Sequence, residues 1–203
     1  MPRVTTGFTG TLRPDEEHDE VRFTGSDLAG ARAAGSRFLE CEVLGADLTE
    51  AGLSGTRWID CVLDRVTGVA PDLSDATFLD VSVTGARLGA VAAYGSSWRQ
   101  VSVRGGKVDF LNLRGATLRD VTFEDCVLLE PDLAEASLTD VTFAGCTLVE
   151  AQFGGAALAR VDLSQARLVD PMGLTSLRGA TISRVQLLEL ADAFADQLGI
   201  QVS

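Results

Sequence analysis

The sequence predicts an all-β solenoid with four five-residue sides per coil, finished by a C-terminal α-helix. Three observations carry this. Across residues 21–170, the positions numbered in 3 or 8 run from Phe23 to Leu168 as large apolar residues, and of thirty such positions only Ala33, Gly68 and Ala93 are small. A longer pattern recurs every 20 residues: Glu40-Cys41-Glu42-Val43, Asp60-Cys61-Val62-Leu63, Asp80-Val81-Ser82-Val83 and Asp120-Val121-Thr122-Phe123. Beyond residue 183 the apolar residues change to helical spacing.

A helix repeats every 3.6 residues and a strand every 2, so a period of five belongs to neither. It needs a chain that turns a corner in each repeat and points one large residue inward from each side. Two residues before each large residue stands a smaller one, as in Ser26, Ser36, Cys41, Ala46, Ala51, Thr56, Cys61, Ala76 and Cys126. Large and small residues then share the cross-section. Glycine is frequent at positions ending in 0 or 5, where corners fall and a left-handed backbone is expected. Four sides make a 20-residue coil, and repeats of that length stack as a solenoid. At the strand spacing of about 4.8 Å, the coils form a rod roughly 35 Å long.

Segments such as Ala46-Asp47-Leu48-Thr49-Glu50, Pro71-Asp72-Leu73-Ser74-Asp75 and Ala136-Ser137-Leu138-Thr139-Asp140 resemble the pentapeptide repeat, written A-(D/N)-L-x-x. The resemblance implies that family's right-handed quadrilateral β-helix. Handedness and square section rest on the resemblance, whereas the four-sided coil follows from the residues.

Taken in order, residues 1–20 form an N-terminal arm or partial cap. Phe8-Thr9-Gly10 echoes Phe23-Thr24-Gly25, and the charge run Asp15-Glu16-Glu17-His18-Asp19-Glu20 reads as a solvated loop or mobile arm. Residues 21–182 are the repeat array. Within it, Leu39, Ile59 and Leu79 make an outward apolar column, read as sideways packing on the face. Residues 81–119 carry a basic belt of Arg87, Arg99, Arg104, Lys107, Arg114 and Arg119 against one acid, Asp109. Residues 120–159 reverse this, with Asp120, Glu124, Asp125, Glu130, Asp132, Glu135, Asp140 and Glu150 and no Lys or Arg. One column, Glu40, Asp60, Asp80, Gln100, Asp120 and Asp140, runs nearly the length of the rod and is broken by Arg160. The belt arginines either pair with acids on adjacent coils or form a binding surface.

Residues 183–203 form the C-terminal helix and tail. Ser183 and Gln186 have capping-box spacing, and Gly199 suits the position after a helix end. Leu187, Leu190, Ala191, Phe194 and Leu198 follow helical spacing, and Leu188 and Ala195 widen the apolar surface. This set either closes the open end of the solenoid or also joins two copies as an isologous homodimer. The dimer is the preferred reading.

Composition bounds the function. With a net charge of −12 and a pI near 4.4, the chain has the wrong sign for direct nucleic-acid binding. No apolar run approaches a membrane span. The segment Met1–Gly7 lacks the apolar core of a signal peptide, so a cytoplasmic protein is expected. One histidine, four cysteines without a Cys-x-x-Cys and no phosphate loop argue against catalysis, a metal or a cofactor. Cys41/Cys61 and Cys126/Cys146 are each 20 residues apart and would stack on neighbouring coils. They are read as buried free thiols, small hydrophobes of the inward class.

Ser176-Leu177-Arg178-Gly179-Ala180, followed by the stretch from Gln186 to Ile200, resembles the ending of the Qnr/MfpA-type pentapeptide-repeat proteins. That resemblance implies a dimer joined through C-terminal helices, and binding to DNA gyrase and topoisomerase IV with protection from fluoroquinolones. The expected function is therefore a DNA mimic that uses the acids of 120–159. The alternative is a scaffold with another protein partner, its acids serving solubility. The basic belt departs from the mimic pattern, and the unbroken register leaves no projecting loops.

Overall fold

The computed structural model describes residues 6–8, 10–25 and 28–202. Eight coils run from residue 17 to residue 176, and each contributes to four faces. The first face holds Glu17–Asp19, Arg37–Leu39, Arg57–Ile59 and Thr77–Leu79. The second holds Val21–Thr24, Glu42–Leu44, Val62–Asp64 and Ser82–Thr84. From the fifth coil onward one strand rounds the corner between these faces, as in Ser97–Arg104, Thr117–Glu124 and Ser137–Ala144. The third face runs from Thr67–Val69 to Arg167–Val169. The fourth is joined only by single bridges, such as Asp72 to Ala92 and Ala92 to Asn112. Pairing is parallel, and each coil meets the next at a shift of 20 residues, as Trp58 with Phe78 and Phe123 with Phe143. The result is a four-sided parallel β-helix.

Both inward classes are where the period places them. Phe38, Leu53, Leu113, Phe143 and Leu148 are sealed, and so are the thin Cys41, Ala46, Ala76 and Ala136. Ser26, expected in the thin class, lies outside the described residues. Aromatic rings stack between coils: Phe38 on Trp58 at 3.9 Å, Phe78 near Trp98 at 4.9 Å and Phe123 on Phe143 at 4.9 Å. The two indoles explain two polar members of the thin class. Trp58 Nε1 donates to Thr56 Oγ1 at 2.9 Å and Trp98 Nε1 to Ser96 Oγ at 2.8 Å. A buried indole N–H without an acceptor would be costly. All four cysteines are free and buried.

The corners go beyond the glycine expectation. Among the described residues, twenty non-glycine residues adopt positive φ, including Glu40 (49°), Asp60 (54°), Arg65 (50°), Phe110 (55°) and Asp140 (55°). Each such residue costs about 1–2 kcal/mol. The corner N–H groups offset it by donating to the next coil, as Glu40 N to Ile59 O at 2.9 Å and Asp60 N to Leu79 O at 3.0 Å. The conformation is imposed by stacking, so any residue that the coil geometry needs there must accept it.

The N-terminal charge run is not a loop. Glu17–Asp19 is a strand paired in register with Arg37–Leu39, so the first coil begins at 17 and not at 21. Strand alternation turns Glu17 and Asp19 outward and His18 inward, where it is buried and stacked on Phe38 at 5.1 Å. His18 continues the register of large inward residues, a role its polar side chain concealed. Of the echo at Phe8-Thr9-Gly10, Thr9 lies outside the described residues. Thr6–Gly7 pairs with Val21 and Arg22, a partial extra strand on the second face.

At the other end, the sequence pattern suggested one helix and the structure has two. Arg184–Glu189 and Ala191–Gln197 meet at Leu190, whose φ of −97° and ψ of 2° depart from the helix. The capping box forms: Ser183 N donates to Gln186 Oε1 at 2.6 Å and Gln186 N to Ser183 Oγ at 3.2 Å. Gln186 also buries its amide, donating to Leu163 O at 2.7 Å and Ala166 O at 2.6 Å. These carbonyls belong to the last coil and have no further coil above them. Leu190 is buried, and Ala193 and Phe194 pack partly against the core.

Candidate functional site

The eight acids of 120–159 do not form one patch. Asp120 and Asp140 sit at the corner between the first and second faces, and Asp125 at the next. Glu130 and Glu150 share the third corner, Glu135 holds the fourth, and Glu124 and Asp132 lie on the second and fourth faces. What the fold does assemble is the long column. Glu40, Asp60, Asp80, Asp120 and Asp140 occupy one corner in successive coils, all at positive φ, with Glu20 preceding them and Gln100 between. Parallel in-register stacking repeats them at about 4.8 Å.

The basic belt reaches into the acids. Arg104 Nε lies 2.9 Å from Glu124 Oε2, and Arg114 bridges Asp132 (3.3 Å) and Glu135 (2.8 Å). Arg160, just beyond the acidic stretch, holds Asp140 with two hydrogen bonds, the Nη2–Oδ2 bond at 2.7 Å. These bonds hold the Asp140 carboxyl below the usual carboxylate range, with the charges of Arg160 and Arg119 adding to the effect. Lys107 pairs with Asp109 at 2.9 Å on its own strand. Pairing across coils thus engages Glu124, Asp132, Glu135 and Asp140 with three arginines. Among the described residues, Asp120, Asp125, Glu130 and Glu150 make no ion pair within 4.0 Å, nor do Arg87, Arg99 and Arg119. Arg99 and Arg119 are register partners on the first face.

Several acids have a local structural task. Asp132 Oδ1 accepts from Ala134 N at 2.9 Å, as Asp72 does from Ser74 N and Asp47 from Thr49 N. This is the Asx turn that the D/N position of the repeat supplies. The bond from the Thr49 hydroxyl, with that from its N–H, lowers the Asp47 pKa. Asp125 lies against the Gly145 corner of the next coil, where its Oδ1 would stand 2.3 Å from any added Cβ.

At the C-terminus the apolar residues divide between two directions. Leu190 is buried, Ala193 and Phe194 pack against the core, and Ala195 is half-buried. Leu187, Leu188 and Leu198 are exposed at 51%, 73% and 68%, with Ala191 also exposed. Val185, Ile200 and Val202 join the exposed set and were not among the expected residues. No pattern in the sequence marked the break at Leu190. Sequence reasoning also passed over Phe110 and Val69, exposed apolar residues on the rod. Leu39, Ile59 and Leu79 are half-buried and stacked in register, as sideways packing requires.

Among the described residues, no group of three or more His, Cys, Asp or Glu could hold a metal ion. No helix there is long and apolar enough to cross a membrane.

Comparison with known proteins points one way. The family model for pentapeptide repeats matches with eight copies, over residues 19–55, 109–143 and 136–170. No curated protein sequence matches the chain significantly. Among solved structures, HetL is 19% identical with a TM-score of 0.48. It is a pentapeptide repeat protein involved in heterocyst differentiation regulation in the cyanobacterium Nostoc sp. strain PCC 7120. The match covers 85% of this chain and 90% of HetL. A trypsin-treated form of QnrB1, a plasmid-mediated fluoroquinolone resistance protein, is 20% identical with a TM-score of 0.37, covering 98% of this chain and 100% of QnrB1. The unbroken five-residue register, the four-sided coil and the matched repeats together establish that this chain belongs to the pentapeptide-repeat family.

Proposed function

We propose that the protein is a non-enzymatic DNA mimic that binds type II topoisomerase, DNA gyrase or topoisomerase IV, in the cytoplasm and acts as a homodimer. The observation that carries this reading is the corner column of Glu40, Asp60, Asp80 and Asp120, whose carboxylates make no ion pair within 4.0 Å among the described residues, with Gln100 between Asp80 and Asp120 and Asp140 held by Arg160. A rigid rod that repeats carboxylates at about 4.8 Å presents a line of negative charge comparable to one duplex strand, which has a phosphate per roughly 3.4 Å of axis. A surface built for the phosphate backbone recognises charge and spacing rather than bases. The exposed Leu187, Leu188 and Leu198 supply a self-complementary apolar contact that would set two rods end to end and lengthen the column. Relief of fluoroquinolone action on gyrase would follow from competition with DNA.

A second reading is favoured by a specific observation. Half of the acids in 120–159 are engaged by Arg104, Arg114 and Arg160, which suits a scaffold whose charges serve coil stacking and solubility. One experiment separates the two. Purified protein is titrated into a gyrase supercoiling assay, with and without ciprofloxacin, beside the variant Asp60→Lys/Asp80→Lys/Asp120→Lys, which breaks no ion pair. The mimic reading expects inhibition, or relief of drug-induced cleavage, at micromolar protein. The effect should fall steeply with salt and be lost in the folded variant. No effect of the natural chain, or an equal effect of the variant, overturns it in favour of the scaffold.

A further inference from the structure

The middle of the rod is not filled. Coils six and seven place Leu118, Phe123, Leu128, Leu133, Leu138, Phe143, Leu148 and Phe153 inward, and none is more than 2% exposed. Coils three to five mix the large Trp58, Phe78 and Trp98 with the shorter Val83, Val103 and Val108 at these positions. An apolar cavity of about 70 Å³ lies there. Leu73, Val83, Leu88 and Val108 point inward yet keep accessible surface, because they border this space.

Every lining side chain is an aliphatic or aromatic residue. The polar edges of the two bordering tryptophans are directed to Thr56 and Ser96. A water molecule needs two to four polar partners, and this space offers none, so it stays dry. Dry apolar cavities bind apolar guests. One of roughly 150 Å³ takes benzene, so a space half that size excludes the aromatic ring and admits a smaller molecule. We propose that coils three to five form a binding site for a small apolar molecule, a short hydrocarbon or a noble-gas atom, closed off from the polar surface. This site is independent of the acidic column and of any gyrase contact.

Xenon is the probe. The intact protein is equilibrated under xenon pressure and observed by methyl NMR and by thermal unfolding, beside Val83→Leu/Val108→Leu and the milder Val83→Ile. Xenon should shift the methyl signals of Leu73, Leu88 and Val108 and leave those of Leu138 and Leu148 in place. It should raise the unfolding midpoint by about 1–4 °C at saturation. Filling the space should abolish both responses in whichever filled variant folds. Uniform shifts along the rod, no shift in the natural chain, or an undiminished response in a folded filled variant overturns the site.

Discussion

Gly68→Ala tests how strictly stacking governs this fold. Gly68 holds an inward position of the third coil at φ +147°. A Cβ there would stand 2.7 Å from Thr49 N, 2.8 Å from Leu48 C and 3.1 Å from Leu48 N. Ordinary contact begins at 3.4 Å, so the coils must part by 0.7 Å, the difference between 3.4 and 2.7. Two hydrogen bonds flank the site, Leu48 N to Thr67 O at 2.7 Å and Glu50 N to Val69 O at 2.8 Å. Stretched by that amount they reach the limit of useful geometry, a loss of about 0.5–1.5 kcal/mol each. The positive φ adds about 1–3 kcal/mol for a residue with a Cβ. The expected loss is roughly 2–6 kcal/mol, a large part of a typical stability of about 5–15 kcal/mol. Urea denaturation measures it, with Gly85→Ala as reference. Gly85 has φ +63°, and its nearest neighbour is the flexible Arg65 Cγ at 3.4 Å, so strain alone, about 1–2 kcal/mol, applies there. A Gly68→Ala loss no greater than that of Gly85→Ala would refute the argument from backbone contact.

Two more outcomes follow from the same geometry. Phe110→Gly should raise stability by about 0.5–1 kcal/mol, since an exposed aromatic residue at φ 55° gives up left-handed strain and little burial; a drop in the urea midpoint would count against it. For His18, burial lowers the pKa and the charge of Glu16 only partly opposes this. The unfolded chain therefore binds the proton more readily, so stability is full above about pH 6.5 and declines as pH falls below it. Among the described residues its Nε2 has no hydrogen-bond partner, and it stands 3.7 Å from Glu16 Oε2. His18→Phe should flatten the midpoint-against-pH curve between about pH 6.5 and 5; an unchanged slope there would place its origin elsewhere.

The five-residue period determined the fold by itself. An inward residue such as Phe123 or Leu148 recurs once per side, and the 20-residue repeat of motifs such as Asp120-Val121-Thr122-Phe123 sets four sides to a coil. The period also located the thin residues and the carboxylate column, because register is all that these require. The same logic would have placed His18 in the core had spacing been given precedence over polarity, and the charged neighbours Glu17 and Asp19 hid it. Tertiary structure decided what depends on contacts between coils. Arg104, Arg114 and Arg160 find their acids 18–21 residues away in sequence, so half of the acids in the acid-only stretch are engaged in three dimensions. The left-handed corners at Asp60, Arg65 and Phe110 come from hydrogen bonds to the next coil, which outweigh each residue's own preference. The break at Leu190 arises where the helix must bend over the last coil. Leu190 at the break is buried, whereas Leu187, Leu188 and Leu198 on either side of it are exposed.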